Sequence, residues 1–308
     1  KVSYRGLQKT PSADSLARAA RLEAGHGGNP VDIEWVGDSD STFETGEYFL
    51  FFAEPRPSKW TETDYYVLTE EESSGSRIAT GSGDPSGLSV GQAYAHKMFE
   101  QNNQYISDIK ARSDGDHWYW DQFSKPDDTT GIYDFSLPNV NVLGPGFLDL
   151  WLVGYTDVLQ NPDHLVAVDI NSTPLSPVIE WNGKQLVHVT LDIPADTFET
   201  GNNQLGISLP GIPNVDVEGM WLDVFSIDYP LGSSSVGDSI IFTGNETQHF
   251  YTIRLDNLTD FRVYDVTTPE NPLILSDWDT SFNQVTVGDP TGGGKHRYIL
   301  SNQSGMIT

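Results

Sequence analysis

The chain has 308 residues, 37% hydrophobic and 11% aromatic, a globular composition long enough for two or three domains with cores of their own. Forty-four acidic residues against seventeen basic ones give a formal charge of −27, which argues against nucleic acid or anionic lipid as a partner. Cysteine is absent, so a disulfide, a thiolate metal site and a cysteine nucleophile are excluded for this chain.

In chain order, "SADSLARAARLEAG" is the one stretch with helical marks: Ser12 or Asp14 as N-cap, Leu16, Ala19, Ala20 and Leu22 on one face, and Gly25 as the stop. A helix is predicted there. "VDIEWV", "EYFLFFA" and "DYYVLTE" follow as strands bounded by turn residues, and residues 1–92 form a first β-rich unit. Between them the acidic loop "GDSDSTFETGE" gathers Asp38, Asp40, Glu44 and Glu47, oxygen ligands at the short spacing a hard cation such as Ca²⁺ takes. The same loop also reads as a solvated acidic turn, since Phe43 stands where a helix-loop-helix calcium loop needs Gly.

From Ala93 to Tyr229 nine short strands with turn signals between them predict a jelly-roll β-sandwich, because no helices are at hand to cover a parallel sheet. Within it "DHWYWDQF" offers Trp118, Tyr119 and Trp120 for stacking a sugar. Strand alternation puts Trp118 and Trp120 on one face and Tyr119 on the other, and the favoured reading of the two Trp is sandwich core. "PLGSSSVGDS" looks like a linker, and residues 230–308 carry a third set of strands that either stand alone or complete the first unit.

The fold class is therefore mainly β: a central sandwich flanked by smaller β-rich units, with one short helix. The seven His are dispersed without metal-ligand spacing, and no G-x-S-x-G elbow marks a serine nucleophile. Four Asn-x-Ser/Thr sequons, at Asn171, Asn245, Asn257 and Asn302, fall on turns. No apolar run approaches the ~20 residues of a membrane span and no signal-peptide pattern opens the chain, so a soluble, trimmed chain is expected. The acidic excess is scattered and only eight basic residues are Lys, which suits a high-salt source and an ordinary acidic secreted protein alike.

Several stretches, taken in order, resemble the region that precedes the catalytic domain in gingipain-type cysteine peptidases, relatives of the type IX secretion sortase among them. "DSTFETGEYFLFFAEP" is similar to that family's Asp-x-x-Phe-x-x-Gly-Asp-Tyr segment, with Glu47 in place of Asp. "KWTETDYYVLT", "HKMFEQNNQYIS", "DHWYWDQF", "WLDVFSIDYP" and "FRVYDVTTPENPLIL" resemble the elements that follow it. The resemblance implies a secreted or cell-surface parent whose peptidase domain uses a Cys nucleophile and a His base. With no Cys, none of that machinery maps onto this chain, and more protein is expected to follow Thr308. The implied role is a non-catalytic pro-region or accessory module that assists folding, holds the peptidase latent, or binds surface glycans or a partner. Latency by a basic residue in an Arg/Lys-preferring pocket makes Lys110, Arg112 and Arg77 the candidates. The alternative is a carbohydrate-binding or adhesive surface protein with no peptidase attached. No cofactor is required on either reading, with Ca²⁺ the one ion to consider.

Overall fold

A computed structural model of the chain describes residues 6–9, 20–24, 30–38, 45–54, 66–70, 75–112, 115–244, 248–289 and 295–306. The chain divides into two compact units, one made of residues 1–93 together with 234–308, the other of residues 94–233. Helix is absent from the described residues apart from a 3₁₀ turn at Gln303–Gly305.

The second unit is a β-sandwich. Its first sheet runs Leu186–Ile193, Gly146–Gly154, Glu218–Pro230 and Ala93–Glu100, all antiparallel, with Asp121–Lys125 added beside the start of Glu218–Pro230. Its second sheet runs Thr130–Leu137, Gly201–Ser208 and His164–Ile170, and both Thr173–Pro174 and Ile179–Trp181 pair with the last of these. Successive long strands cross from one sheet to the other, which is the winding of a jelly roll. Alternation in the sequence drives the arrangement. Tyr133, Phe135 and Leu137 are buried while Ile132, Asp134 and Ser136 between them are exposed. The two sheets meet through aromatic rings: Phe135 lies 5.2 Å from Phe99 and 5.9 Å from Phe225, centroid to centroid. The central strand Glu218–Pro230 is buried over nearly its whole length.

The first unit is also all β among its described residues. Ser239–Gly244, Arg297–Ser301, Arg262–Asp265, Leu273–Ser276 and Ala79–Ser82 join in one sheet, the last pair parallel. Asp279–Ser281, Gln284–Gly288, His249–Arg254 and Ser89–Val90 join in another. Tyr48–Ala53 is flanked by Gly6–Lys9 and Glu34–Val36. All six of its residues are buried, because its two faces serve two clusters. Tyr48, Leu50 and Phe52 pack with Tyr264, Val266 and Ile299, while Phe49, Phe51 and Ala53 pack with Val31 and Ile33. This explains a strand that is apolar throughout rather than alternating.

The helix predicted over 12–25 does not form where that stretch is described. Ala20–Ala24 is a strand, antiparallel to both Tyr66–Glu70 and Pro30–Val31. Residues 12–19 and Gly25 lie outside the described residues. Ala20, Leu22 and Ala24 alternate with Arg21 and Glu23, so the segment satisfies the two-residue period as well as the helical one. Partners on both sides then settle the choice, since a short isolated helix is marginal in water.

Candidate functional site

The sandwich carries exposed aromatic rings on the hairpin of Gln104–Tyr105 and Trp118–Tyr119. Tyr105 and Trp118 are directly opposite each other, their rings 5.4 Å apart at 61°, with 57% and 41% of their surface exposed. His117 borders Tyr105 at 6.1 Å and donates from Nδ1 to Ile106 O at 3.2 Å. The Trp118 amide donates to Asp116 Oδ1 at 3.0 Å, which fixes the backbone under the ring.

Tyr119 faces the other way. It is buried against Trp221 and Val153, with Ile106, Ile109, Tyr155 and Leu186 around them, and its hydroxyl donates to Lys110 O at 2.8 Å. Burial first, then the carboxylates of Asp223 and Asp116, push the Tyr119 phenol up to about 12. Trp120 belongs to neither exposed ring. It stacks on Phe225 at 5.5 Å and 11° and meets Tyr133 edge-on at 4.9 Å. Of the three aromatics singled out for stacking, Trp118 is exposed, Trp120 half-buried and Tyr119 buried, and the structure supplies Tyr105 as the companion of Trp118. Tyr105 carries a faint sequence signal, a lone aromatic in the polar run "QNNQYIS".

Arg112 lies on the loop between the hairpin strands and is surrounded by acid. Its guanidinium stands 3.5 Å from Glu100 Oε1, 3.7 Å from Asp116 Oδ2 and 3.5 Å from Asp223 Oδ2, the last on a residue 2% exposed. The candidate pocket-filling Arg is thus an internal brace in this structure. Lys110 is exposed on the same loop, while Arg77 is half-buried and donates to Gly75 O at 2.9 Å.

The acidic loop is described only at its two ends. Glu47 Oε1 accepts the Asp38 amide at 2.8 Å, so one carboxylate oxygen closes the loop on itself. Asp40 and Glu44 lie outside the described residues, and among the described residues no three His, Asp or Glu side chains stand together as a metal site.

At one end of the sandwich core the sheets are bridged by polar groups that sequence reasoning did not single out. His164 is fully buried, stacked on Trp181 at 4.5 Å and 12°, with Nδ1 2.7 Å from Asp163 Oδ1. Its Nε2 lies 3.1 Å from Gly219 O and 3.2 Å from Thr156 Oγ1. Burial acts to raise the Asp163 carboxyl, but the amides of Val158 and Gly183 and the His164 ring outweigh it and hold it below its ordinary value. With His164 and Asp163 both buried, the cluster reads as a fastening between sheets.

No family model and no curated protein sequence matches the chain. The fold does find a counterpart: the structure of dimeric latent PorU from Porphyromonas gingivalis, with a TM-score of 0.71 and 10% identity over 100% of this chain and 32% of that one. The chain shares a fold with PorU. It spans about a third of that structure's length. A family 35 carbohydrate-binding module from Clostridium thermocellum also matches, at 11% identity over 44% of this chain and 88% of that one. Its TM-score of 0.25 is too low for a common arrangement to be argued from it.

Proposed function

We propose that this chain is the non-catalytic N-terminal module of a secreted, gingipain-like cysteine endopeptidase, a pro-region or accessory domain whose first partner is the peptidase domain of the same parent protein. The observation that carries the reading is the fold match to latent PorU along the whole chain, with about two thirds of that protein having no counterpart here. The ordered motifs from "DSTFETGEYFLFFAEP" to "FRVYDVTTPENPLIL" point the same way, and the absence of Cys accounts for the lack of catalytic machinery.

On this reading the module aids folding of the peptidase or keeps it latent until processing. Lys110 is the accessible basic side chain on the hairpin loop, whereas Arg112 would first have to leave its carboxylates. The coding sequence beyond Thr308 tests the reading directly. A following domain with a His and Cys pair is the expected result, and a reading frame that stops without one overturns it. The 308-residue chain added to the mature peptidase separates the roles: inhibition lost in Lys110→Ala assigns latency to that side chain, and undiminished activity removes latency altogether.

A second reading, a carbohydrate-binding surface protein with no peptidase attached, draws support from the accessibility of Trp118. Either role is compatible with a secreted or surface location, and Ca²⁺ binding by the Asp38–Glu47 loop would accompany either.

A further inference from the structure

Two large aromatic rings stand out of the sandwich, yet the hairpin that holds them is tied down from beneath. Tyr119 is 1% exposed and fixed to Lys110 O, the Trp118 amide is held by Asp116, and Arg112 anchors the connecting loop through three carboxylates. Exposed aromatic surface on a fixed support is surface prepared for a ligand, because little conformational freedom remains to be lost on binding.

The geometry limits what that ligand is. Tyr105 and Trp118 meet edge to face, at 61° with centroids 5.4 Å apart, so the two rings touch and form one angled aromatic surface. A stable protein interface needs about 800 Å² from each partner. The surroundings of this corner are polar instead: Asn102, Asn103, Gln104, Ser107 and Asp108 are all exposed. A pyranose offers what both parts accept, a face of C–H bonds for an aromatic ring and a rim of hydroxyls for amides and carboxylates. The charge sets the class of sugar. On the hairpin loop Asp116 is paired with Arg112 and Asp108 is offset by the exposed Lys110, so it is the charge of −27 on the whole chain that repels uronic and other acidic sugars.

We propose that Tyr105 and Trp118 form a binding corner for a neutral glycan, with Trp118 as the stacking platform and Tyr105 as its side wall. The inference goes beyond the accessory-module reading and does not rest on it, because the corner exists whether or not a peptidase follows.

Calorimetry and tryptophan fluorescence on the 308-residue chain test it with neutral hexasaccharides of gluco, manno, galacto and xylo configuration and with oligogalacturonates of equal length. At least one neutral hexasaccharide is expected to bind and perturb the fluorescence. Trp118→Ala then weakens that binding by about tenfold or more and Tyr105→Ala by a smaller factor. Phe282→Ala, an exposed ring on the other unit, leaves it unchanged, and near-ultraviolet circular dichroism verifies that each variant is folded. Binding that survives both hairpin substitutions, a preference for oligogalacturonate, or no binding across the panel at millimolar concentration each overturns the proposal. None of these results alters what lies beyond Thr308, so the accessory-module reading is judged separately.

Discussion

Glu218, on one sheet of the sandwich, accepts the backbone amide of Leu165, on the facing sheet, at 2.6 Å, although its side chain is completely buried. Gly201–Ser208 stops pairing with the Leu165 strand at Ala167, so the next outward-pointing amide has no ladder partner and the carboxylate takes the place of a missing strand. Only Oε1 is used, and Oε2 has no hydrogen-bond partner among the described residues.

That arrangement makes the fold sensitive to pH at one residue. Burial pushes the Glu218 carboxyl above its ordinary value of 4.5, against the Leu165 amide, His164 and Lys125, which pull it down. A carboxyl raised in the folded state holds its proton more tightly there than in the unfolded chain. Its stabilising contribution is full below about 4.5 and is lost as pH rises through the folded value. Glu218→Gln keeps an acceptor oxygen and has no charge to bury, so it removes this slope. Its melting temperature is expected to equal or exceed that of the native protein at pH 7, with the difference shrinking toward pH 5. Glu218→Ala removes the acceptor and is expected to cost about 1–3 kcal/mol at either pH. A Gln variant clearly less stable at pH 7 would refute the account.

Arg112 gives the opposite prediction, since there the charge is matched. Removing it leaves Asp223, 2% exposed, and its neighbours Glu100 and Asp116 facing one another without their shared cation. Arg112→Ala is expected to lower unfolding stability by about 3–5 kcal/mol in urea titration, and Arg112→Lys by less but not zero, because an ammonium cannot serve three carboxylates from one planar fork. A loss near zero for the Ala variant would mean that water, not Arg112, balances these acids.

These two residues mark where sequence reading stopped. The sandwich was legible because its strands alternate: His164, Val166, Val168 and Ile170 are buried with less buried residues between them, as "HLVAVDI" suggests. Alternation misled at Trp118 and Trp120, predicted on one face, because the strand is interrupted between them. Trp118–Tyr119 pairs with Gln104–Tyr105, Asp121–Lys125 pairs with Glu218–Pro230, and Trp120 sits at the junction with its ring turned onto Phe225. The Glu218–Leu165 bond and the pairing of Arg112 with Glu100 and Asp223 join residues 12 to 111 positions apart in sequence, and no local period encodes such pairs. Ala20–Ala24 fits both periods, so its pairing decided the outcome.

Screening should stabilise the protein as a whole. A charge of −27 repels itself in the compact state, and salt shortens the range of that repulsion to about 3 Å at 1 M. The melting temperature is expected to rise by several degrees between 0.1 and 1 M KCl. Sucrose at matched osmolality raises it less, which separates screening from exclusion. A flat response would show that the acidic surface is already neutralised by its local partners.

The two copies of "TFETG", Thr42–Gly46 and Thr197–Gly201, end in glycines of nearly the same conformation, with φ of +102° at Gly46 and +98° at Gly201. Nothing lies within 4 Å of where a Cβ would stand at either one, so backbone strain rather than crowding opposes a side chain there. Gly46→Ala and Gly201→Ala are each expected to cost about 1–2 kcal/mol. The double variant is expected to show their sum, because the two lie in different units. Gly146 supplies the contrast. A Cβ there would stand 2.4 Å from Cε2 of Phe198, the buried Phe of the second copy, and 2.8 Å from Asp228 O. Crowding is therefore its obstacle, and shortening the neighbour should relieve it. In a double-mutant cycle read by urea unfolding, Gly146→Ala with Phe198→Leu is expected to cost less than the sum of the single changes. Gly201→Ala with Phe198→Leu is expected to show no such relief, and equal coupling in the two cycles would contradict the assignment of strain to one glycine and crowding to the other.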